Sequence, residues 1–405
     1  MSTPEITGIN SAVTLDGNQW KALSIAESLF LISIISMFLP VKVYPLVFLV
    51  SSYFFYREIP QLNFPRWAIA LVVFSSYAII SYLIHFPGES LALTNITKLI
   101  FNFCFLFFAL LWLGSRDNES LIHRLDTVLL LVLALSFVQL LIYHQGFDFK
   151  LISGSETSGQ ASSLYRDSLY FWGLDDKNMF GARIALMGFS FICIPVVLKS
   201  KLSMWRIAFV FLIAFLSLSR TPIVALLLGV FFLVWMSVTK KWKIALLLIL
   251  VIALPFVLQN VIRVDSLTSS NDGMGIRLVY WKAFFQHFDM ISPLGNGFMS
   301  APAFLGKYAE FYRGEPHIHN TFLSTYLELG LVGFLSFLAF LYWLIRDFWR
   351  QTANPRLWIA LFLPILAIMM ILYSGYDNDV VMYFCLTFLI GSWSTVNFQN
   401  MKLSL

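Results

Sequence analysis

The chain has 405 residues, of which 59% are apolar, 17% aromatic and 12% charged. Soluble domains are nearer half apolar and a quarter charged, so 41 Phe and a mean hydropathy of +0.78 exceed what one water-soluble core hides. A cytosolic enzyme, a disordered chain and a nucleic-acid-binding domain are excluded, and the class is an all-α polytopic membrane protein.

In chain order, residues 1–20 are polar and lack both a basic n-region and a cleavage site, which predicts a short cytoplasmic tail. A span takes roughly 20 apolar residues. Twelve segments qualify: about 22–39, 42–56, 67–85, 97–114, 123–144, 179–198, 204–218, 221–238, 243–260, 321–345, 357–373 and 380–396. The run 204–238 is too long for one crossing, and Pro222 beside Ser219-Arg220-Thr221 marks where it turns back. Residues 21–396 form a single transmembrane domain on this reading, with 397–405 a second cytoplasmic tail.

Basic residues set the orientation. With the N-terminus inside, every short inner connection carries at least two Lys or Arg, and both termini are cytoplasmic. Two outer segments are long: 145–178, and 261–320 between the ninth and tenth spans. Loops of this length are functional or disordered. In the second, Ile276, Val279, Tyr280, Ala283 and Phe284 recur at helical spacing, which predicts a helix lying on the membrane surface. Cys104, Cys193 and Cys385 fall in apolar runs and read as small buried hydrophobes.

Six arginines lie on or beside the outer face: Arg166, Arg183, Arg220, Arg263, Arg277 and Arg313. An arginine at membrane depth is costly unless it faces a polar cavity or an anionic partner. Its fork of donors suits phosphate oxygens, so the functional reading is a site for a lipid-linked phosphate or diphosphate. Arg166, Arg263 and Arg313 are read as ordinary surface charges. Arg220, at a tight turn that needs no charge to form, is read as functional.

His317 and His319 stand just before the tenth span. Their i, i+2 spacing, with no third ligand following, does not describe a zinc site. A neutral imidazole near pH 7 suits a general base, and the company of Arg277 and Arg220 favours that role over a solvated histidine. Asn320 is placed to cap the tenth span. Glu328, inside that span, either serves the site or bonds a neighbouring helix. Asp377 and Asp379, in an outer turn, are read as solvated. Neither paired-carboxylate spacing nor a phosphate-cradling Gly loop is present.

Several of these pieces together resemble the O-antigen ligase and Wzy-type polymerase superfamily of bacterial inner membranes. They are Ser219-Arg220-Thr221 at a span tip; Gly275-Ile-Arg277 followed by Trp281 and by Ser292-Pro-Leu-Gly-Asn-Gly297; and His319-Asn320-Thr-Phe-Leu323 with Glu328-Leu-Gly330 and Gly333. Asp175-Asp-Lys-Asn178-Met-Phe180 is a weaker piece at the head of the sixth span. The resemblance covers about 165–335. It implies a GT-C-like, metal-independent glycosyltransferase without cofactor, working at the periplasmic face on a glycan carried by undecaprenyl diphosphate. It implies that Arg220 and Arg277 bind the diphosphate and that His319 is catalytic, with Asn178 at a matching position; His317, which only some members share, and Glu328 and Arg183, read from their place at the membrane, are candidates for support. The acceptor is lipid A–core for a ligase, which the single really long outer loop favours, or a second lipid-linked repeat for a polymerase. A transporter for lipid-linked sugars is the reading from another class, and it calls for mid-span charges and broken helices in two related halves.

Overall fold

The computed structural model describes residues 23–39, 42–85, 90–146, 149, 177–256, 273–351, 355–372, 375–392, 396, 398 and 401–404. The N-terminal tail, Arg166, Arg263, most of the first outer segment and part of the C-terminal tail lie outside these residues.

Helices form on all twelve predicted segments. They are α1 (Ile25–Ser36), α2 (Tyr44–Glu58), α3 (Arg66–His85), α4 (Ser90–Gly114), α5 (Glu119–Gln145), α6 (Lys177–Lys199), α7 (Met204–Leu216), α8 (Thr221–Ser237), α9 (Lys240–Phe256), α12 (Thr321–Gln351), α13 (Pro355–Ile371) and α14 (Asn378–Ser392). Two more, α10 (Gly273–Gln286) and α11 (Ala301–Tyr308), form within the second outer segment. By length and composition α3, α4, α5, α6 and α12 suffice to cross a membrane, and the others are shorter. The chain is thus an all-α polytopic membrane protein. Among the described residues two strands form, β1 (Lys201–Ser203) and β2 (Lys402–Ser404), paired in parallel.

Apolar on every face, α6 is buried almost throughout and packs on α5, α7, α8, α13 and α14. Polar contacts then tie the helix ends into two layers. At one end Glu27, which closes a capping box with Ser24 at the start of α1, accepts from Arg116 (2.6 Å) and Ser120 (2.8 Å) at the α4–α5 turn. There too Glu58, at the end of α2, accepts from Trp112 Nε1 at 2.8 Å. At the other end Arg183, near the start of α6, reaches the Met37 carbonyl just past α1 and Asp379 at the start of α14. All the predicted site residues described below belong to this second end.

The expected unbroken span 321–345 is corrected. α12 breaks at Gly330 (φ 57°, ψ −156°), and the turn Ser292–Gly297 enters the break. Asn296 N–H donates to Leu327 O (2.9 Å), Gly297 N–H to Glu328 O (3.1 Å), and Leu331 N–H to Pro293 O (2.8 Å). A helix interrupted at membrane depth is tolerated where other protein groups satisfy the freed backbone, and here a loop does so. A Cβ at Gly330 would collide with the Pro293 carbonyl. Gly330→Ala is therefore expected to cost more than the roughly 1–3 kcal/mol of that backbone conformation alone, read as a lowered unfolding midpoint of the detergent-solubilised protein. An unchanged midpoint would refute the wedge.

A second correction concerns α10. Its face of Ile276, Tyr280 and Phe284 does not rest on a membrane surface. It packs with Ile291, Ala301, Phe304, Leu305, Ile318 and Leu327 into a small core of its own. The larger apolar residues left outside are Phe285, Phe288, Met290, Leu294 and Phe311.

Candidate active site

Residues 312–320 form a strap between this small core and the head of α12, and three anchors hold it. Tyr280 O–H donates to the Glu315 carboxylate, and its oxygen accepts from Arg313 N–H (3.2 Å). Ile318 N–H donates to Ser324 Oγ (3.3 Å). Asn320 Oδ1 accepts from the N–H groups of Phe322 and Leu323 (both 3.0 Å), so it caps α12 as the sequence predicts. His319, just before the cap, has φ of 57°, a left-handed conformation uncommon outside glycine and concentrated at functional sites.

Three side chains meet at the C-terminal end of α13, where helix carbonyls lack internal partners and the dipole is negative. Asn320 Nδ2 donates to Met370 O (3.1 Å), and Arg277 Nε to Ile371 O (2.8 Å). The Leu372 carbonyl accepts from the His319 ring. Arg277 Nη1 is also bonded, to Gly273 O at 2.6 Å. Arg277 and His319, 42 positions apart in sequence, are thereby brought side by side. Among the described residues His319 Nδ1 has no hydrogen-bond partner, so the proton shared with Leu372 is on Nε2 and the Nδ1 lone pair is left to accept. Burial, then the charge of Arg277, then His317, push the imidazole down to about 3, against the Leu372 bond that raises it. It is neutral at pH 7.

His317 lies against the charges of Asp377 and Lys98, and burial lowers its pKa. This neighbourhood corrects the solvated reading of the two aspartates. Asp377 is 5% exposed and pairs with Lys98, and Asp379 is 0% exposed and pairs with Arg183 Nε at 2.7 Å. Arg183 thus commits Nε to Asp379 and Nη1 to Met37, fastening α1, α6 and α14. Removing one member of a buried pair leaves an uncompensated charge and costs about 3–5 kcal/mol. Asp379→Asn is expected to destabilise the protein by that order. Native-like thermal stability in the variant would show that the pair holds nothing.

Arg220 occupies the N-cap position of α8, after Leu218 in a left-handed conformation (φ 57°). Ser219 Oγ donates to Asn178 Oδ1 (3.0 Å), so Asn178 braces the Arg220 turn. Gly181 on α6 lies directly against Ser219 and Pro222, which sets this turn at the same end of the bundle as Arg183 and Asp379. Glu328 is placed apart, at the break in α12. It is 3% exposed, accepts from the Met299 backbone, and its Oε1 has no partner among the described residues. Two clefts run along α3, one shared with α4 (Leu71, Ile79, Phe103) and one with α12 (Ile69, Ser336, Trp343), and no predicted site residue lines either.

Chemically, this end offers a guanidinium for an anion and a neutral imidazole with a free lone pair beside it. Sequence reasoning missed Lys98, Tyr280 as a site residue, and Glu315. Lysine inside an apolar run was the one available signal for Lys98. Among the described residues no three His, Cys, Asp or Glu side chains are grouped as metal ligands.

Residues 205–338 match the model of a protein family described as O-antigen ligase. The match takes in Arg220, Arg277, His317, His319 and Glu328 and leaves out Asn178 and Arg183. No curated protein matches the chain significantly.

Proposed function

From the match of residues 205–338 to the O-antigen ligase family model we infer that this chain moves a glycan from undecaprenyl diphosphate to an acceptor at the periplasmic face of the inner membrane, with lipid A–core as acceptor. That match supports an activity of the O-antigen ligase or polymerase type; the donor, the acceptor and the residue roles are our reading. The observation that carries it is the meeting of Arg277 with His319 on the consecutive carbonyls of Ile371 and Leu372 at the C-terminal end of α13. The architecture we assign is a GT-C-like bundle of twelve spans over 21–396, with both termini cytoplasmic.

In the mechanism, His319 Nδ1 takes the proton of the acceptor hydroxyl. That oxygen attacks the anomeric carbon, and the bond from that carbon to the phosphate oxygen breaks, the electron pair leaving with the diphosphate. Arg220 and Arg277 stabilise the charge that develops there. The displacement is direct, needs no metal ion, and inverts the anomeric centre. As Nδ1 gains its proton, the Nε2–H bond to the Leu372 carbonyl steadies the imidazolium. A transporter would need a second broken helix related to α12, and among the described elements α12 alone carries a non-helical residue.

The test is a deletion strain examined on a lipopolysaccharide gel. Core-only lipopolysaccharide with polymeric lipid-linked glycan accumulating is the expected outcome. Core bearing a single repeat would reassign the acceptor to a second lipid-linked repeat, and unchanged lipopolysaccharide would overturn the reading. Retained transfer by the purified protein in a chelator is expected, and its loss would refute the metal-free step.

A further inference from the structure

Tyr280 is 0% exposed and lies three positions after Arg277, so both project from one face of α10. Its ring is parallel to that of His319, at an interplanar angle of 4° and a centroid distance of 6.2 Å. Its hydroxyl is committed twice, donating to Glu315 and accepting from Arg313 N–H. Tyr312 O–H donates in turn to the Glu315 carbonyl at 3.0 Å. Burial, and then the Glu315 carboxylate, push the phenol up, so it remains a donor across the working pH range.

These contacts have a common consequence. His319 sits in a left-handed backbone conformation, which is not the chain's own preference and must be imposed by its surroundings. On the far side Asn320 imposes it. On the near side the strap is fastened at Glu315, four residues before His319, and the imidazole plane is set by the phenol ring.

We propose that Tyr280 and Glu315 are positioning residues for His319: the Tyr280–Glu315 hydrogen bond fastens the strap to α10, and the Tyr280 ring fixes the plane in which the imidazole receives the acceptor's proton. α10 then delivers both the diphosphate-binding arginine and the backing for the base. This rests on the reading of His319 as general base, and it assigns roles to two residues that touch no reacting atom.

The test uses full-length protein in nanodiscs, with undecaprenyl-diphosphate-linked glycan as donor and lipid A–core or a second lipid-linked repeat as acceptor. Tyr280→Phe keeps the ring and removes the fastening. It is expected to lower kcat about tenfold, a fraction of the roughly 10²–10⁴ that a positioned base supplies, with KM for the acceptor within about twofold. Glu315→Ala is expected to match it. Glu315→Gln keeps an acceptor oxygen and is expected to restore kcat to within about twofold of the parent. In a His319→Ala background Tyr280→Phe is expected to change nothing further, because residues acting through one group are not additive. An equal tenfold loss in both backgrounds, or full activity of Tyr280→Phe beside an inactive His319→Ala, overturns the inference and spares the general base. Full activity of His319→Ala removes the base and this inference with it.

Discussion

Replacing His319 by alanine or asparagine is expected to reduce glycan transfer by about 10²–10⁴-fold, the contribution of a positioned general base, while the protein still inserts and folds. Asparagine is the sharper variant. It tolerates the left-handed backbone that His319 adopts (φ 57°), so its loss of activity reports on the imidazole and not on the strap. Lipopolysaccharide of normal pattern from cells carrying His319→Asn would remove His319 from the mechanism.

The same residue carries a pH signature. A general base works only when deprotonated, so activity falls as pH drops through its pKa. In the protein alone burial and the neighbouring Arg277 charge hold that value at about 3. A bound diphosphate brings negative charge against Arg277 and makes the imidazolium easier to form. The acid limb of kcat is therefore expected at higher pH than the acid limb of kcat/KM, which reports the free enzyme. Coincident limbs would mean that the diphosphate does not reach Arg277.

Arg277→Lys is expected to lose about 10²-fold in transfer, the order seen when one preorganised donor to a developing charge is removed. The charge is kept; the geometry is not. Nε and Nη1 hold the Ile371 and Gly273 carbonyls, 2.8 and 2.6 Å away, and this two-point bracing aims the rest of the guanidinium. A lysine ammonium has no fixed plane and cannot span both carbonyls while facing a ligand. Kinetics of the purified variant decide it: near-parental kcat would show that a point charge suffices.

Much of the fold was legible because it is local. Apolar runs of sufficient length mark the helices, and Pro222 marks the turn between α7 and α8. The site was legible in part for the same reason: Arg220, His317, His319 and Asn320 stand at element ends, where polar residues among apolar neighbours are conspicuous. What escaped notice depends on distant partners. Asp377 and Asp379 read as solvated because Lys98 and Arg183 lie 279 and 196 positions away. The α10 face looked made for a bilayer because an apolar stripe does not say whether lipid or protein will cover it. Gly330 hinted at a weak point in α12, but nothing near it announces that Ser292–Gly297 will enter the gap.

That gap has a consequence for assembly. Ser292–Gly297 emerges from the ribosome before α12 does, and on our topology it must be exported ahead of the helix it completes. The native bend of Thr321–Gln351 is completed by bonds to that loop, so it depends on the loop folding back onto the helix after both have left the ribosome. On our topology that docking takes place on the periplasmic side, as a folding step separate from the insertion of the helix itself.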